Sequence, residues 1–176
     1  MAIRQIVKEG DSILRKKCRP VTEFNQKLWT LLDDMKETLA QAKGLGLAAP
    51  QVGILRRVIV IDMGEGPIEM INPEVIERSG EQECMEGCLS IPGQWGILKR
   101  PTYVKMRYFD RNGDLYEIEG EDLFASCASH ETDHLDGTLY TDKVIRMVDP
   151  SELEEDSEEQ KNRRRRERKM PHTSRA

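Results

Sequence analysis

The segment HETDH at residues 130–134 constrains the fold more than any other stretch of this sequence. Residues 123–135 are predicted to form a helix, with Gly137 placed to end it. Because residues four apart lie on one face of a helix, His130 and His134 can bind a single metal ion, with Glu131 beside a water on that ion. The sequence therefore predicts a metal-binding helix.

A second helix is predicted earlier in the chain. Apolar residues recur there at the helical period, with Thr22 or Asn25 available as N-cap and Gly44 as the stop signal. The apolar positions are Phe24, Leu28, Leu31, Leu32, Met35, Leu39 and Ala42.

Strands are predicted in the stretches between these helices. Residues 57–62 are rich in β-branched side chains, and residues 70–76 have a similar pattern. Residues 102–110 and 114–119 flank an Asn-Gly turn that is typical of a hairpin. Because strands and helices are segregated along the chain, we expect an α+β fold with mostly antiparallel sheets packed around a central metal-binding helix.

The length of 176 residues is typical of one domain, and we expect a catalytic domain at 1–150 with a charged tail at 151–176. The tail has few apolar residues, so it is expected to be disordered or a solvated helix. Four consecutive arginines at 163–166 could contact the phosphates of an RNA backbone.

The composition favours a cytoplasmic protein. No stretch approaches the roughly 18 apolar residues of a membrane span, and no signal peptide is evident. The cysteines are therefore expected to stay reduced and available as metal ligands. They are Cys18, Cys84, Cys88 and Cys127.

A catalytic metal site of this type needs a third protein ligand. Tyr140 stands where the metzincin pattern has its third histidine, so that pattern fails. Downstream glutamates and the cysteines remain candidates, among them Cys88, which follows a glycine that lets the backbone bend close to a metal. The glutamates are Glu152, Glu154 and Glu155.

The stretch GLGLAAPQVG at residues 44–53 is rich in small residues, which allow close approach of a ligand to the backbone. Gln51 within it offers an amide that can donate to a carbonyl or an oxyanion.

Three segments in order, GLGLAAPQVG at 44–53, EGCLS at 86–90 and HETDHLDG at 130–137, closely resemble the motifs of the peptide deformylase family. The resemblance spans residues 3–147. It implies a metal-dependent hydrolase that removes the formyl group from N-formylmethionyl peptides by attack of a metal-bound water, with release of formate.

The resemblance also implies roles for individual residues and a cofactor. The implied metal ligands are Cys88, His130 and His134, with Glu131 as acid/base and Gln51 with the Leu89 amide as the oxyanion site. The implied cofactor is one divalent metal, Fe(II) in the cell, with zinc, nickel or cobalt as substitutes in vitro.

The substrate is expected to lie extended beside Gly44, Leu45 and Gly46, with Leu123 and Cys127 helping to form the methionine pocket. We expect a monomer without DNA or membrane partners, and the resemblance implies that the basic tail could contact the ribosome. The alternatives left open are an HExxH metallopeptidase with a tail glutamate as ligand, and a non-catalytic metal-stabilised module that docks on ribosomal RNA through residues 163–168.

Overall fold

The computed structural model describes residues 2–155 and 171–176. The helices of this part are α1 (Gln26–Ala42), α2 (Leu123–Leu135) and α3 (Pro150–Glu155). The strands are β1 (Gly46–Ala48), β2 (Val58–Asp62), β3 (Pro67–Ser79), β4 (Gln82–Cys88), β5 (Ile91–Arg100), β6 (Tyr103–Phe109), β7 (Leu115–Glu121), β8 (Arg146–Met147) and β9 (His172–Arg175). Short 3₁₀ turns lie at Ser12–Arg15, Ala49–Val52 and Tyr140–Asp142.

The strands form two sheets with antiparallel pairing throughout. One sheet has the order β1-β2-β3-β6-β7-β9, and the other has the order β4-β5-β8. The predicted α+β class with antiparallel sheets is confirmed. Strands β4 and β5 were not predicted, because their mixed polar and apolar residues lack a clear alternating pattern.

Strand β2 explains why its sequence is a continuous apolar run. Val58 and Val60 pack in the cluster that includes α1, whereas Ile59 and Ile61 pack in the cluster that includes α2. Successive side chains of a strand point to opposite faces of the sheet, so a strand covered on both faces needs apolar residues at every position. The two helices therefore lie on opposite sides of this sheet.

Helix α1 begins as predicted, with the side chain of Asn25 accepting from the N–H of Leu28. Its end differs by one residue, because the left-handed turn falls on Lys43 (φ 55°) rather than on Gly44. Gly44 has another role: a Cβ there would lie 3.0 Å from Cδ1 of Leu89. The glycine thus allows the segment after α1 to pack closely against the loop after β4.

Helix α2 is the predicted central helix. Its buried residues extend around almost the whole circumference, which is typical of a helix enclosed by the fold. The guanidinium of Arg57 donates to the C=O of Leu135 at 3.1 Å and to Asp136 at 3.0 Å, so it satisfies the C-terminal end of the helix. The histidine-bearing element is therefore held firmly at its end.

The end of the chain contains a strand that was not predicted. Strand β9 pairs with the edge of β7, from His172 opposite Glu119 to Arg175 opposite Tyr116. The four arginines at 163–166, for which an RNA contact is predicted, lie outside the described residues. In the described part, no helix has both the length and the apolar character needed to cross a membrane.

Candidate metal centre

The two histidines of α2 face one side of the helix, as their spacing predicts. Their ring centroids are 5.0 Å apart, and both side chains are buried. The ring of Tyr140 lies parallel to that of His130 at 6.0 Å. Its hydroxyl donates to the C=O of Gln94 at 3.3 Å, so Tyr140 packs against the pair and is not a ligand.

Cys88, the last residue of β4, brings the third candidate ligand to the pair. Its Sγ lies 3.4 Å from Nε2 of His134, and the ligand atoms of Cys88, His130 and His134 all lie within 4.8 Å of one another. The bond lengths of a tetrahedral zinc site imply a sulfur–nitrogen separation of about 3.5 Å between neighbouring ligands. The three side chains therefore fit a single metal ion.

A buried carboxylate orients the first histidine. Oε1 of Glu86 lies 2.7 Å from Nδ1 of His130, which leaves Nε2 of that ring for a metal. Glu86 is held in turn by Arg100 at 2.7 and 3.0 Å, and Arg100 also donates to Asp133 at 2.7 Å. Burial opposes the ionisation of Glu86, but the bonds from His130 and Arg100 outweigh it and hold its pKa below the ordinary value.

The pKa values of the two imidazoles are shifted in opposite directions. Burial, reinforced by the positive charges of His130 and Arg100, lowers the pKa of His134 to about 3, so this ring is neutral as a metal ligand must be. Its Nδ1 is buried and has no hydrogen-bond partner in residues 2–155 and 171–176. Burial also lowers the pKa of His130, but its bonds to Cys88 and Glu86 raise it well above the ordinary value.

Glu131 lies next to this cluster. Its Oε1 is 3.9 Å from Nε2 of His130, and its Oε2 is buried without a partner in the described residues. Burial raises the pKa of Glu131 to about 7, which is suited to taking and giving protons near neutral pH. A Cβ on Gly46 would lie 2.8 Å from Cγ of Glu131, so only glycine admits this approach.

Gln51 reaches the cluster from the 3₁₀ turn after β1. Its Oε1 accepts from the N–H of Ala48 at 3.0 Å, while Nε2 donates to Oγ of Ser90 at 3.1 Å and to Sγ of Cys88 at 3.5 Å. Leu89 follows Cys88 directly in the chain. The two predicted oxyanion donors therefore lie on the two loops that meet at Cys88.

The predicted pocket residues are brought together only in the fold. Leu45 and Leu123 are partly buried and pack against the cluster that contains Cys127. Cys127 itself is buried, and burial raises the pKa of its thiol well above the ordinary value, so the side chain is uncharged at neutral pH. Gly46 is the first residue of β1, which is an edge strand of the six-stranded sheet.

The tail glutamates are not part of the cluster as far as the structure describes them. Glu152 pairs with Arg146 at 3.1 Å on the surface. The side chains of Glu154 and Glu155 lie outside the part of the chain that the structure describes. Because Cys88 takes the third position, the geometry does not favour the metallopeptidase alternative.

Several important residues were missed at the sequence level. Arg100 and Asp133 complete the support of His130, and Ser90 holds Gln51. For Arg100 the only available signal was a cation inside an otherwise poorly patterned strand. Its buried partners come from β4 and α2, and local sequence does not indicate such contacts.

A cysteine sulfur and two imidazoles around one point, beside a buried carboxyl group whose pKa is raised to about 7, define a metal-dependent hydrolase. The family model "Polypeptide deformylase" matches residues 3–149. A peptide deformylase of Caldanaerobacter subterraneus subsp. tengcongensis is 59% identical over 154 residues, which is 88% of this chain and 97% of that protein.

Solved structures agree. The peptide deformylase of Thermotoga maritima superposes with a TM-score of 0.80 at 39% identity, covering 82% of this chain and 99% of the other. A Met-Ala-Ser-bound class I type b peptide deformylase from Acinetobacter baumannii gives a TM-score of 0.77 at 31% identity, with 81% and 99% covered. The chain belongs to the polypeptide deformylase family, and it is a peptide deformylase in function.

Proposed function

We propose that this protein removes the formyl group from peptides that begin with N-formylmethionine, releasing formate and a free methionine amine. One observation carries the proposal: Sγ of Cys88 meets the imidazoles of His130 and His134 beside the buried carboxyl of Glu131. Because formylated peptides are products of translation, we place the enzyme in the cytoplasm. We also propose that it acts as a monomer.

Cys88, His130 and His134 would hold one divalent metal ion, which we propose to be ferrous iron in the cell. A thiolate with two imidazoles also suits zinc, cobalt and nickel. A metal bound there supplies Lewis acidity, polarising the formyl carbonyl and lowering the pKa of a water. Comparing the rate after anaerobic iron loading with that of the zinc form tests the preference; equal rates would contradict it.

Glu131 is the proposed acid/base. In its ionised form the carboxylate takes a proton from the attacking water, and it then delivers a proton to the departing amine nitrogen. The pKa of about 7, raised by burial, allows both forms to be populated near neutral pH. Gly46 lets the carboxyl group stay close to the cluster.

Gln51 and Leu89 are the proposed oxyanion donors. Nε2 of Gln51 and the backbone N–H of Leu89 would stabilise the negative charge that develops on the formyl oxygen. The contacts of Gln51 to Ala48 and Ser90 hold the amide before substrate arrives, so little reorganisation is needed. Loss of one such donor typically costs about 3–4 kcal/mol of transition-state stabilisation.

The peptide would bind along β1. This strand is at the edge of the six-stranded sheet, so an extended peptide could pair with it beside Gly44, Leu45 and Gly46. The methionine side chain would enter the apolar region formed by Leu45, Leu123 and Cys127. The peptide Met-Ala-Ser is bound in the crystal structure of the Acinetobacter relative, and this supports a substrate of the same class.

The direct test is formate release from formyl-Met-Ala-Ser, with quantification of metal in the same sample. We expect formate and intact Met-Ala-Ser in equal amounts, with about one metal ion per chain for the three-ligand site. Cleavage of the Met-Ala bond, detected by mass spectrometry, would instead support a peptidase. Absence of both reactions in metal-loaded protein would refute the proposal.

A further inference from the structure

The segment at residues 2–9 crosses the two loops that carry the proposed oxyanion donors. The N–H of Val7 donates to the C=O of Gln51 at 2.7 Å, and the N–H of Glu9 donates to the C=O of Ser90 at 2.8 Å. Between them, Nζ of Lys8 donates to the C=O of Leu89 at 3.3 Å. Three consecutive residues therefore bond to the backbone of Gln51 and of the two residues after Cys88.

These two loops do not follow each other in the chain, nor do they belong to one sheet. Gln51 follows β1 of the large sheet, whereas residues 89–90 join β4 to β5 of the small sheet. In an extended chain, residues two apart are separated by about 6.6 Å. A single stretch that bonds both loops therefore fixes the spacing between them.

The side chain of Gln51 provides the second connection. Its Nε2 donates to Oγ of Ser90, which is completely buried. The backbone bond from Val7 fixes where the Gln51 amide originates, and Ser90 fixes where it points. The donor geometry is thus set by contacts on both sides of the gap between the loops.

The start of the segment is anchored on α1. The backbone N–H of Ala2 donates to Asp34 at 2.7 Å, and Nε of Arg4 donates to the same carboxylate at 2.9 Å. The N–H of Arg4 donates to Oγ1 of Thr38 at 2.9 Å. Asp34 and Thr38 are polar residues on the buried face of α1, and these bonds account for their presence there.

We propose that residues 7–9, which we call the N-terminal clamp, are positioning residues for the deformylation reaction. By tying the loop of Gln51 to the loop of Leu89, they hold the two oxyanion donors at the separation that the transition state requires. The inference rests on the proposed function, because it assumes that Gln51 and Leu89 are the donors.

The test compares Val7→Pro with Gln5→Pro. Both place proline in the same extended segment, but only Val7→Pro deletes the N–H that bonds to Gln51. Because small displacements of catalytic donors are costly, we expect kcat for formyl-Met-Ala-Ser to fall about tenfold in Val7→Pro. KM, metal content and the affinity for the product Met-Ala-Ser should not change, since the product has no developing oxyanion. Gln5→Pro should behave as the unmodified protein.

Lys8 supplies a second variant that keeps the backbone intact. Lys8→Met should lower kcat about threefold at unchanged KM, and Lys8→Arg should restore it, because a cationic donor again reaches the C=O of Leu89. The matched control is Lys16→Met. Lys16 is also an exposed lysine, but the side-chain hydrogen bond to the C=O of Leu89 comes from Lys8. If Val7→Pro does not fold, the Lys8 series decides.

Three results would overturn the clamp. The first is an equal loss of kcat in Val7→Pro and Gln5→Pro, and the second is a loss in Val7→Pro that appears equally in KM and in product affinity. The third is an unchanged kcat in Val7→Pro or, where that variant does not fold, in Lys8→Met. Gln51→Leu separates this failure from that of the proposed function. If Gln51→Leu lowers kcat while the clamp variants do not, only the clamp is wrong; if Gln51→Leu has no effect, the donor assignment itself fails.

Discussion

At the scale of single residues, the chemistry depends on the environment of one carboxyl group. Glu131 is buried, its pKa is raised to about 7 by burial, and a Cβ on Gly46 would lie only 2.8 Å from its Cγ. An exposed glutamate of the same helix would be ionised throughout the neutral range and would be a poor proton donor. The fold therefore supplies the property that the HExxH spacing requires.

Replacing Glu131 by Gln removes the proton-transfer group and keeps the shape of the side chain. We expect kcat to fall about 10³-fold, with metal content unchanged because the three ligands remain. Formate release and metal quantification on one sample check this. Retention of more than about a tenth of the activity would contradict an acid/base role, since that role typically contributes at least 10²-fold.

Gly46→Ala tests the close approach at the same place. The added Cβ would lie 2.8 Å from Cγ of Glu131, so the carboxyl group must move. We expect a destabilisation of about 1–3 kcal/mol and a loss of activity larger than that of a strain-only control. Gly64→Ala is such a control, because Gly64 has a φ of 106° and no heavy atom within 4 Å of the added Cβ. Equal activities of the two variants would count against this contact.

At the scale of elements, α2 is joined to both strands of the small hairpin. Glu86 on β4 and Arg100 on β5 form a buried ion pair, and Arg100 extends the connection to Asp133 on α2. Because Glu86 also contacts His130, the same network that holds the elements together orients a metal ligand. Stability and metal affinity are therefore coupled through Arg100.

Arg100→Met would leave the buried carboxylate of Glu86 without its cation, and it would remove one of the two cations that contact Asp133, the other being Lys143 at 3.1 Å. We expect the free energy of unfolding to fall by about 3–5 kcal/mol, as is typical when a buried ion pair is broken. We also expect metal affinity to fall about 10- to 100-fold, as is typical when the group that supports a metal-binding histidine is disturbed. Urea unfolding and competition with a chelator measure the two. Lys99→Met is the matched control: its exposed pair with Glu81 at 3.6 Å should contribute less than about 1 kcal/mol. Similar losses in both variants would contradict the coupling.

At the scale of the whole molecule, every proposed ligand lies between residues 88 and 134, before the charged tail begins in the sequence. A chain ending at Pro150, which lacks Glu152, Glu154 and Glu155, should therefore keep its metal and most of its activity. Within the described residues it loses the rest of α3 and the exposed strand β9, and with them the surface pair of Arg146 with Glu152 and the pairing along the edge of β7. Loss of metal in this truncated protein would revive a ligand from the tail and refute the three-ligand site.

Acid should unfold the protein through its paired carboxylates. The hydrogen bond from Arg111 lowers the pKa of Asp33, and that from Arg15 lowers the pKa of Asp142. A lowered folded-state pKa means that the folded protein binds fewer protons than the unfolded chain, so this stability is present above the ordinary value of 3.8 and is lost as pH falls below it. Urea unfolding between about pH 5 and pH 3 should show a shallower decline for Arg111→Met than for Lys16→Met. Parallel declines would contradict this account.

Some of these features could be predicted from local sequence. Helices α1 and α2, the β6–β7 hairpin and the facing histidines follow from periodicity and turn residues, because those signals act over a few neighbouring positions. Strands β4 and β5 could not be predicted, since their residues pack in part against polar partners from α2. Strand β9 could not be predicted either, because an exposed edge strand carries little hydrophobic pattern.

The sequence by itself determined the helix with two imidazoles on one face, the antiparallel hairpin and the three motifs that carry the resemblance. Only the tertiary structure decided that Cys88, rather than a tail glutamate, stands beside those imidazoles, that Arg100 supports Glu86, and that residues 7–9 bridge the loops of the oxyanion donors. The physical reason is one of distance along the chain. Spacing encodes contacts within one element, whereas a contact between different elements depends on how the sheets and α2 pack together.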